Sequence, residues 1–278
     1  MVYAVNPLQN CCTITIALAL LLAACTGPSD QTGFLVERPG IGPIARSYSG
    51  ARPPIRMSAP HDRIVIIYNH GTQRPQHVED CGAPWNQVPR SLLALQSERL
   101  LIYYLCSRAS ESYAKSSAGQ YIYERLKEVE ATLDELIALG VPPQNIFLAG
   151  HSAGGWTSLM AMKFVDRKFN AAIVFAPAFA GSRSEASTYP WWYQEARPKQ
   201  IREMLEAPNV RALIFAYHDD PFERPEDLGF LTERYGKSVP MIAYECDVPN
   251  RHLVHLNDCR EAATTQAISR FIAERAGR

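Results

Sequence analysis

The sequence predicts an α/β protein, a doubly wound and mostly parallel sheet in a single domain. Three observations carry that prediction. Short β-branched and aromatic runs are apolar at every position, as in strands covered on both faces. Longer segments with apolar residues three and four apart, the spacing of a helix face, alternate with them. Clusters of Gly, Pro, Asn and Asp separate the two kinds. At 278 residues, with 47% hydrophobic and 20% charged side chains, the chain can bury one large core and is too apolar to be disordered. Its 28 Lys and Arg balance 28 Asp and Glu, which leaves no electrostatic footprint for nucleic acid. The 16 Gly and 20 Pro are scattered, so collagen-like and low-complexity readings fail.

The first 24 residues contain no Asp, Glu, Lys or Arg, and 14–24 run ITIALALLLAA into Cys25. This run is too short to span a bilayer as a mature helix, which needs about 20 apolar residues. It has the length of a signal-peptide core. Leu22-Ala23-Ala24-Cys25 resembles the bacterial lipobox, which implies a signal peptide over 1–24, lipid on Cys25 and a tether at 26–29. One feature departs from that pattern: no Lys or Arg precedes the apolar run. The expectation is an exported, periplasmic or cell-surface lipoprotein, held to the membrane by its lipid. A soluble secreted product and a cytosolic protein are the alternatives. Cys11 and Cys12 would leave with the signal and Cys25 would carry the lipid, so four cysteines remain: Cys81, Cys106, Cys246 and Cys259. Without a C-x-x-C, zinc and thioredoxin-like readings are weak. Of the three possible pairings the sequence-local one, Cys81–Cys106 with Cys246–Cys259, is expected; four buried free thiols are the alternative.

Residues 25–60, rich in Pro, Gly, Ser and Arg, predict an irregular lead-in with edge hairpin strands, ahead of the main domain at 61–278. Strands follow at 64–68 (IVIIY) and 100–105 (LLIYYL). A helix is predicted over 120–139, where Ile122, Leu126, Val129, Leu133, Leu136 and Ile137 share one face; Gly140 stops it and Pro142-Pro143 prevents continuation. A strand at 145–149 leads into a helix at 154–164. Further strands are predicted at 171–176, 210–217 and 239–245, with helices at 225–235 and 258–276, the last burying Ile268, Phe271 and Ile272. In sheets of this kind ligands sit beyond the carboxyl ends of the strands, so the chemistry belongs to the loops there.

One such loop is Gly150-His151-Ser152-Ala153-Gly154-Gly155, between a strand and a helix. About one chain in ten of this length carries G-x-S-x-G by chance, but the strand–turn–helix setting is far rarer. A serine on so tight a turn stands clear of the sheet, small residues at 150 and 154 let strand and helix approach, and the helix N-terminus offers backbone donors to a developing oxyanion. No Lys follows the glycines, so this is not a phosphate-binding P-loop. A serine hydroxyl needs an imidazole to take its proton and a carboxylate to fix the imidazole tautomer. Downstream, His218-Asp219-Asp220-Pro221 follows one strand, and Asn250-Arg251-His252-Leu253-Val254-His255 follows the last.

Over about 60–275 these motifs resemble the α/β-hydrolase family, in its serine-esterase and dienelactone-hydrolase-like branch. The resemblance implies an α/β-hydrolase fold and the chain order nucleophile, acid, base: Ser152, then Asp220 with Asp219 as the alternative, then His252 with His255 as the alternative. It implies an oxyanion hole made by the N–H of Ala153 and a second N–H in Asn69-His70-Gly71-Thr72, carried to Thr72. Because HGTQ stands where many esterases have HGGG, Gln73 is the other candidate. The implied activity is hydrolysis of a small-molecule or lipid-like carboxylic ester through an acyl-serine, with no metal or organic cofactor. A serine peptidase or other acyl-transfer enzyme, and a catalytically silent binding lipoprotein, are the rival readings.

A segment at 177–208 is longer than a minimal crossover and contains Tyr189-Pro190-Trp191-Trp192-Tyr193, which either line a pocket or cover the core beneath a helix. Trp156 is expected in the core. Arg74, His77 and Trp85 are candidates for substrate contact.

Overall fold

The computed structural model describes residues 32–38, 42–44, 52–72, 81–107, 109, 119–179, 182–188, 190–257 and 259–276. The expected signal at 1–24, Cys25 and the tether lie outside the described residues, as do Gln73, Arg74, His77 and Tyr189.

Among the described residues nine strands form, in chain order, β1 (Gly33–Phe34), β2 (Val36–Arg38), β3 (Gly42–Ile44), β4 (Ile64–Asn69), β5 (Leu100–Leu105), β6 (Ile146–His151), β7 (Ala171–Phe175), β8 (Ala212–Tyr217) and β9 (Met241–Tyr244). Seven make one sheet in the order β1-β5-β4-β6-β7-β8-β9, parallel throughout except for β1. The continuous apolar runs are the central strands: every residue of β4, β6, β7 and β8 is buried. Lead-in strand β1 does sit at an edge. The β2–β3 hairpin, expected there too, pairs only with itself among the described residues.

Because side chains alternate along a strand, the sheet has two cores. On one face Val65, Ile67, Leu148, Val174 and Ile214 pack with α2 (Gln120–Ala138) and α3 (Ala153–Phe164). On the other, Ile66, Tyr68, Phe147, Phe175 and Phe215 pack with α1 (Arg90–Leu93) and α6 (Glu261–Arg275). Trp156 lies in the first of these cores, as expected. Among the described residues the remaining α-helices are α4 (Arg197–Leu205) and α5 (Gly229–Tyr235). The sequence suggested neither α1 nor α4, and the helix expected at 225–235 is a 3-10 turn (Pro225–Leu228) followed by α5. Among the described residues no helix is long and apolar enough to cross a membrane.

This topology brings four loops to one rim. The turn after β4 carries Thr72, that after β6 carries Ser152, that after β8 carries Asp220, and that after β9 carries His252. All four leave the carboxyl ends of parallel strands, where such sheets form their clefts.

Candidate active site

Ser152 occupies the turn between β6 and α3 at φ +53° and ψ −125°, a conformation non-glycine residues rarely adopt. Backbone bonds hold it there. Its N–H donates to the Phe175 carbonyl (3.1 Å), and its own carbonyl accepts from Trp156 (2.9 Å) and Ala178 (3.2 Å). The turn leaves no room at 154: a Cβ there would sit 2.1 Å from the Asn69 carbonyl oxygen and 2.4 Å from that of His70. Helix α3 can therefore start this close to the end of β4 only with glycine in its first turn.

The Ser152 hydroxyl donates to His252 Nε2 at 2.8 Å. On the other side of the ring, Nδ1–H of His252 donates to Asp220, 2.8 Å from Oδ2 and 3.1 Å from Oδ1. Asp220 is 0% exposed, and its Oδ1 also accepts the Phe222 N–H at 2.7 Å. Asp219 is the residue that makes this possible, because its left-handed backbone (φ +63°) reverses the chain. Its own side chain stays in solvent while Asp220 turns inward. His252, 6% exposed, is the second residue of a 3-10 segment (Arg251–Leu256) capped by the Asn250 side chain, which accepts its N–H at 3.1 Å. The Phe222 ring packs 4.2 Å from the imidazole.

His255 goes elsewhere. Its ring stacks on that of His151 with centroids 3.7 Å apart, and neither of its nitrogens has a hydrogen-bond partner among the described residues. His151 in turn donates Nε2–H to the His252 carbonyl at 2.8 Å. Burial drives the pKa of both His151 and His255 well below the ordinary histidine value, so both rings are neutral at pH 7. His151 stands inside the G-x-S-x-G motif, and its place there carries no signal of this contact.

A cavity of about 490 Å³ opens beside Ser152, lined in part by Thr72, Ala153, Tyr121, Phe179, Trp192 and Asn250. Thr72 and Ala153 thus bound the same space as the hydroxyl. Of the aromatic cluster at 189–193, Trp192 both lines the cavity and packs into the core, stacking on Phe179 at 5.8 Å. Trp85 is 41% exposed and does not line this cavity. A contact missed from sequence ties the wall to the acid loop: Arg197 at the start of α4 binds Glu223 through two 2.6 Å hydrogen bonds.

Two disulfides frame the site. Cys81–Cys106 closes 25 residues next to the β4 turn, and Cys246–Cys259 closes 13 residues around His252. The compact His/Cys/Asp/Glu group found among the described residues is His70 with Cys81 and Cys106, whose sulfurs are already committed to each other.

A profile of the alpha/beta hydrolase family matches residues 64–272. The chain belongs to the alpha/beta hydrolase family. No curated protein matches the sequence. Among solved structures, esterase 2 of Thermogutta terrifontis is 16% identical with a TM-score of 0.55, over 80% of this chain and 87% of that one. A monoacylglycerol lipase of Paleococcus ferrophilus is 14% identical at 0.53, over 76% and 94%. A puromycin-hydrolyzing peptidase of Mycobacterium tuberculosis is 15% identical at 0.55, over 89% of this chain but 40% of that one. At these identities the likeness is one of fold, and this alpha/beta hydrolase shares it with an esterase, a lipase and a peptidase alike.

Proposed function

We propose that this alpha/beta hydrolase cleaves small-molecule carboxylic esters through an acyl-serine intermediate. The observation that carries the proposal is the unbroken hydrogen-bond chain from the Ser152 hydroxyl through His252 to Asp220. In the proposed reaction Ser152 Oγ attacks the ester carbonyl carbon as its proton passes to His252 Nε2. Asp220 keeps the proton of His252 on Nδ1, so that Nε2 is free to accept, and stabilises the imidazolium that forms. The N–H groups of Thr72 and Ala153 hold the oxyanion, an interaction stronger in the transition state than in the ground state. Collapse expels the alcohol, protonated by His252. Water, deprotonated by the same imidazole, then releases the acid and restores Ser152.

Three features support an ester of modest size: the cavity volume, its aromatic wall of Tyr121, Phe179 and Trp192, and its polar edge at Asn250. The Leu22–Cys25 motif supports export and lipid attachment at Cys25.

The test is labelling with a fluorophosphonate together with hydrolysis of p-nitrophenyl esters of two to eight acyl carbons. Wild type is expected to take the label and turn over the shorter esters. Ser152→Ala is expected to do neither. Turnover of aminoacyl p-nitroanilides with no ester hydrolysis would replace the ester reading with a peptidase one. A folded protein that takes no label and cleaves no substrate would sink both.

A further inference from the structure

Helix α2 buries an arginine in its apolar stripe. Arg125 lies three residues after Ile122 and four before Val129, and it is 2% exposed. Charge at such a position is costly unless its donors are used. Here Nη1 donates to the His70 carbonyl at 2.7 Å and Nη2 to the Gly71 carbonyl at 3.2 Å. These are the two peptide units leading into Thr72.

The Gly71 carbonyl is held from a second side. The Ser107 N–H donates to His70 Nε2 at 2.9 Å, so that nitrogen is the acceptor and the ring proton sits on Nδ1. Nδ1–H then donates to the same Gly71 oxygen. Burial beside Arg125 pushes the His70 pKa down to about 3, which keeps the ring neutral and this tautomer in place.

All described peptide bonds are trans. In a trans peptide the N–H points opposite to the C=O. Carbonyls turned towards Arg125 therefore send the Gly71 and Thr72 N–H groups away from α2. The nucleophile lies close by: a Cβ on Gly71 would sit 3.4 Å from the Ser152 Cβ and 3.1 Å from His151 Nδ1, and Thr72 shares a cavity with Ser152. The guanidinium also sits at the oxygen end of each dipole. It draws electron density towards that oxygen and makes the opposite N–H a stronger donor.

Resting on the reading of Ser152 as an acyl-forming nucleophile, we propose that Arg125 is the positioning residue of the oxyanion hole. It fixes and polarises the His70–Gly71–Thr72 peptides so that the Thr72 N–H meets the developing oxyanion. Arg125 touches neither substrate nor reacting atoms and acts through the peptides it holds.

The experiment compares wild type, Arg125→Met and Arg125→Lys on one p-nitrophenyl ester, with active sites counted by fluorophosphonate titration. Each is also challenged with a trifluoromethyl ketone, which becomes a tetrahedral oxyanion on Ser152. Loss of one oxyanion donor typically costs about 10²-fold in kcat. Arg125→Met is expected to lose about that much kcat per titrated site with KM within about threefold, and its ketone Ki should rise in parallel. Arg125→Lys keeps the charge but not the two-carbonyl fork, and is expected to lose about tenfold. A variant with fewer titratable sites or a lower Tm, but wild-type kcat per site and wild-type ketone affinity, would make Arg125 a packing residue only and overturn the proposal. Should Arg125→Met fail to fold, Arg125→Lys carries the test, and wild-type kcat in that variant overturns the proposal just as well. Failure of wild type itself to take the label or cleave any ester would instead remove the functional reading beneath it.

Discussion

Two loops meet at the Ser152 hydroxyl, and they are held by different chemistry. The turn after β4 is tied by a permanent charge: Arg125 grips two of its carbonyls, and a neutral His70 clasps one of them from the other side. Among the described residues no charged side chain grips the backbone of the loop after β9 in this way. The His252 carbonyl is held by the neutral His151 ring, and His255 stacks behind that ring. The difference follows the task of each loop in the proposed reaction. Oxyanion donors must stay fixed while negative charge grows, so a guanidinium behind them assists. The base must become a cation in mid-reaction, and a second fixed cation beside it would oppose that step. Neutral imidazoles hold the backbone of His252 without that opposition.

The largest effect that separates the loops comes from the acid. Asp220→Asn is expected to lower kcat about 10⁴-fold, because the amide favours the wrong His252 tautomer. Asp219→Asn, at the exposed residue beside it, should stay within about threefold, since Asn also tolerates a left-handed backbone. Steady-state kinetics on one ester decides. Equal losses from the two would mean that the hydrogen bonds to His252 do not persist in solution.

The disulfides come next. Loop-closure entropy gives Cys81–Cys106 and Cys246–Cys259 about 3 kcal/mol each, slightly more for the longer loop. Similar stability effects should hide unlike functional ones. Cys81→Ser with Cys106→Ser leaves Arg125 and His70 still gripping the β4 turn, so kcat should stay within about threefold as Tm falls. Cys246→Ser with Cys259→Ser frees the loop that aims His252. There kcat should fall about tenfold, since small displacements of a catalytic group are costly. Melting curves and kcat of the two double variants check this, and the reverse order of kcat losses would contradict it.

Much of this arrangement is visible in the sequence because burial leaves a plain pattern. The run LLIYYL is β5 from end to end, and the apolar stripe from Ile122 to Leu136 marks α2. Helix α4 is hidden for the opposite reason. Its sequence RPKQIREML buries Gln200, whose Oε1 accepts the Trp156 indole N–H at 2.7 Å, so a polar residue sits where the pattern calls for an apolar one. Ser152 is legible because its turn demands glycines at fixed offsets. The choice between Asp219 and Asp220 is not, for both follow the same strand; one residue's positive φ makes it. His252 and His255 differ in the same way, through the path of a single 3-10 turn. Arg125 did leave a trace, a charge inside an apolar stripe, but its meaning appears only when the carbonyls it reaches are known.

The mildest test sharpens the comparison through acid. His70, His151 and His255 all have folded pKa values depressed by burial, His70 to about 3 and the others well below the usual 6.5. Below about pH 6.5 the unfolded chain therefore binds protons that the folded chain does not. The stability they confer is complete above that pH. It falls as the pH drops towards the folded values, by up to about 4 kcal/mol per pH unit for three such sites. Two of the three lie against the base loop, so that side should give way first. His255→Leu removes a buried ring whose nitrogens have no described partner, so stability at pH 8 should hold or rise. Between pH 6 and 5 the slope should lessen by about 1.4 kcal/mol per unit, one proton's worth. Urea unfolding of wild type and variant at half-unit intervals measures both slopes. An unchanged slope would mean that His255 is protonated in the native protein, and the neutral stack would no longer distinguish this loop from the one held by Arg125.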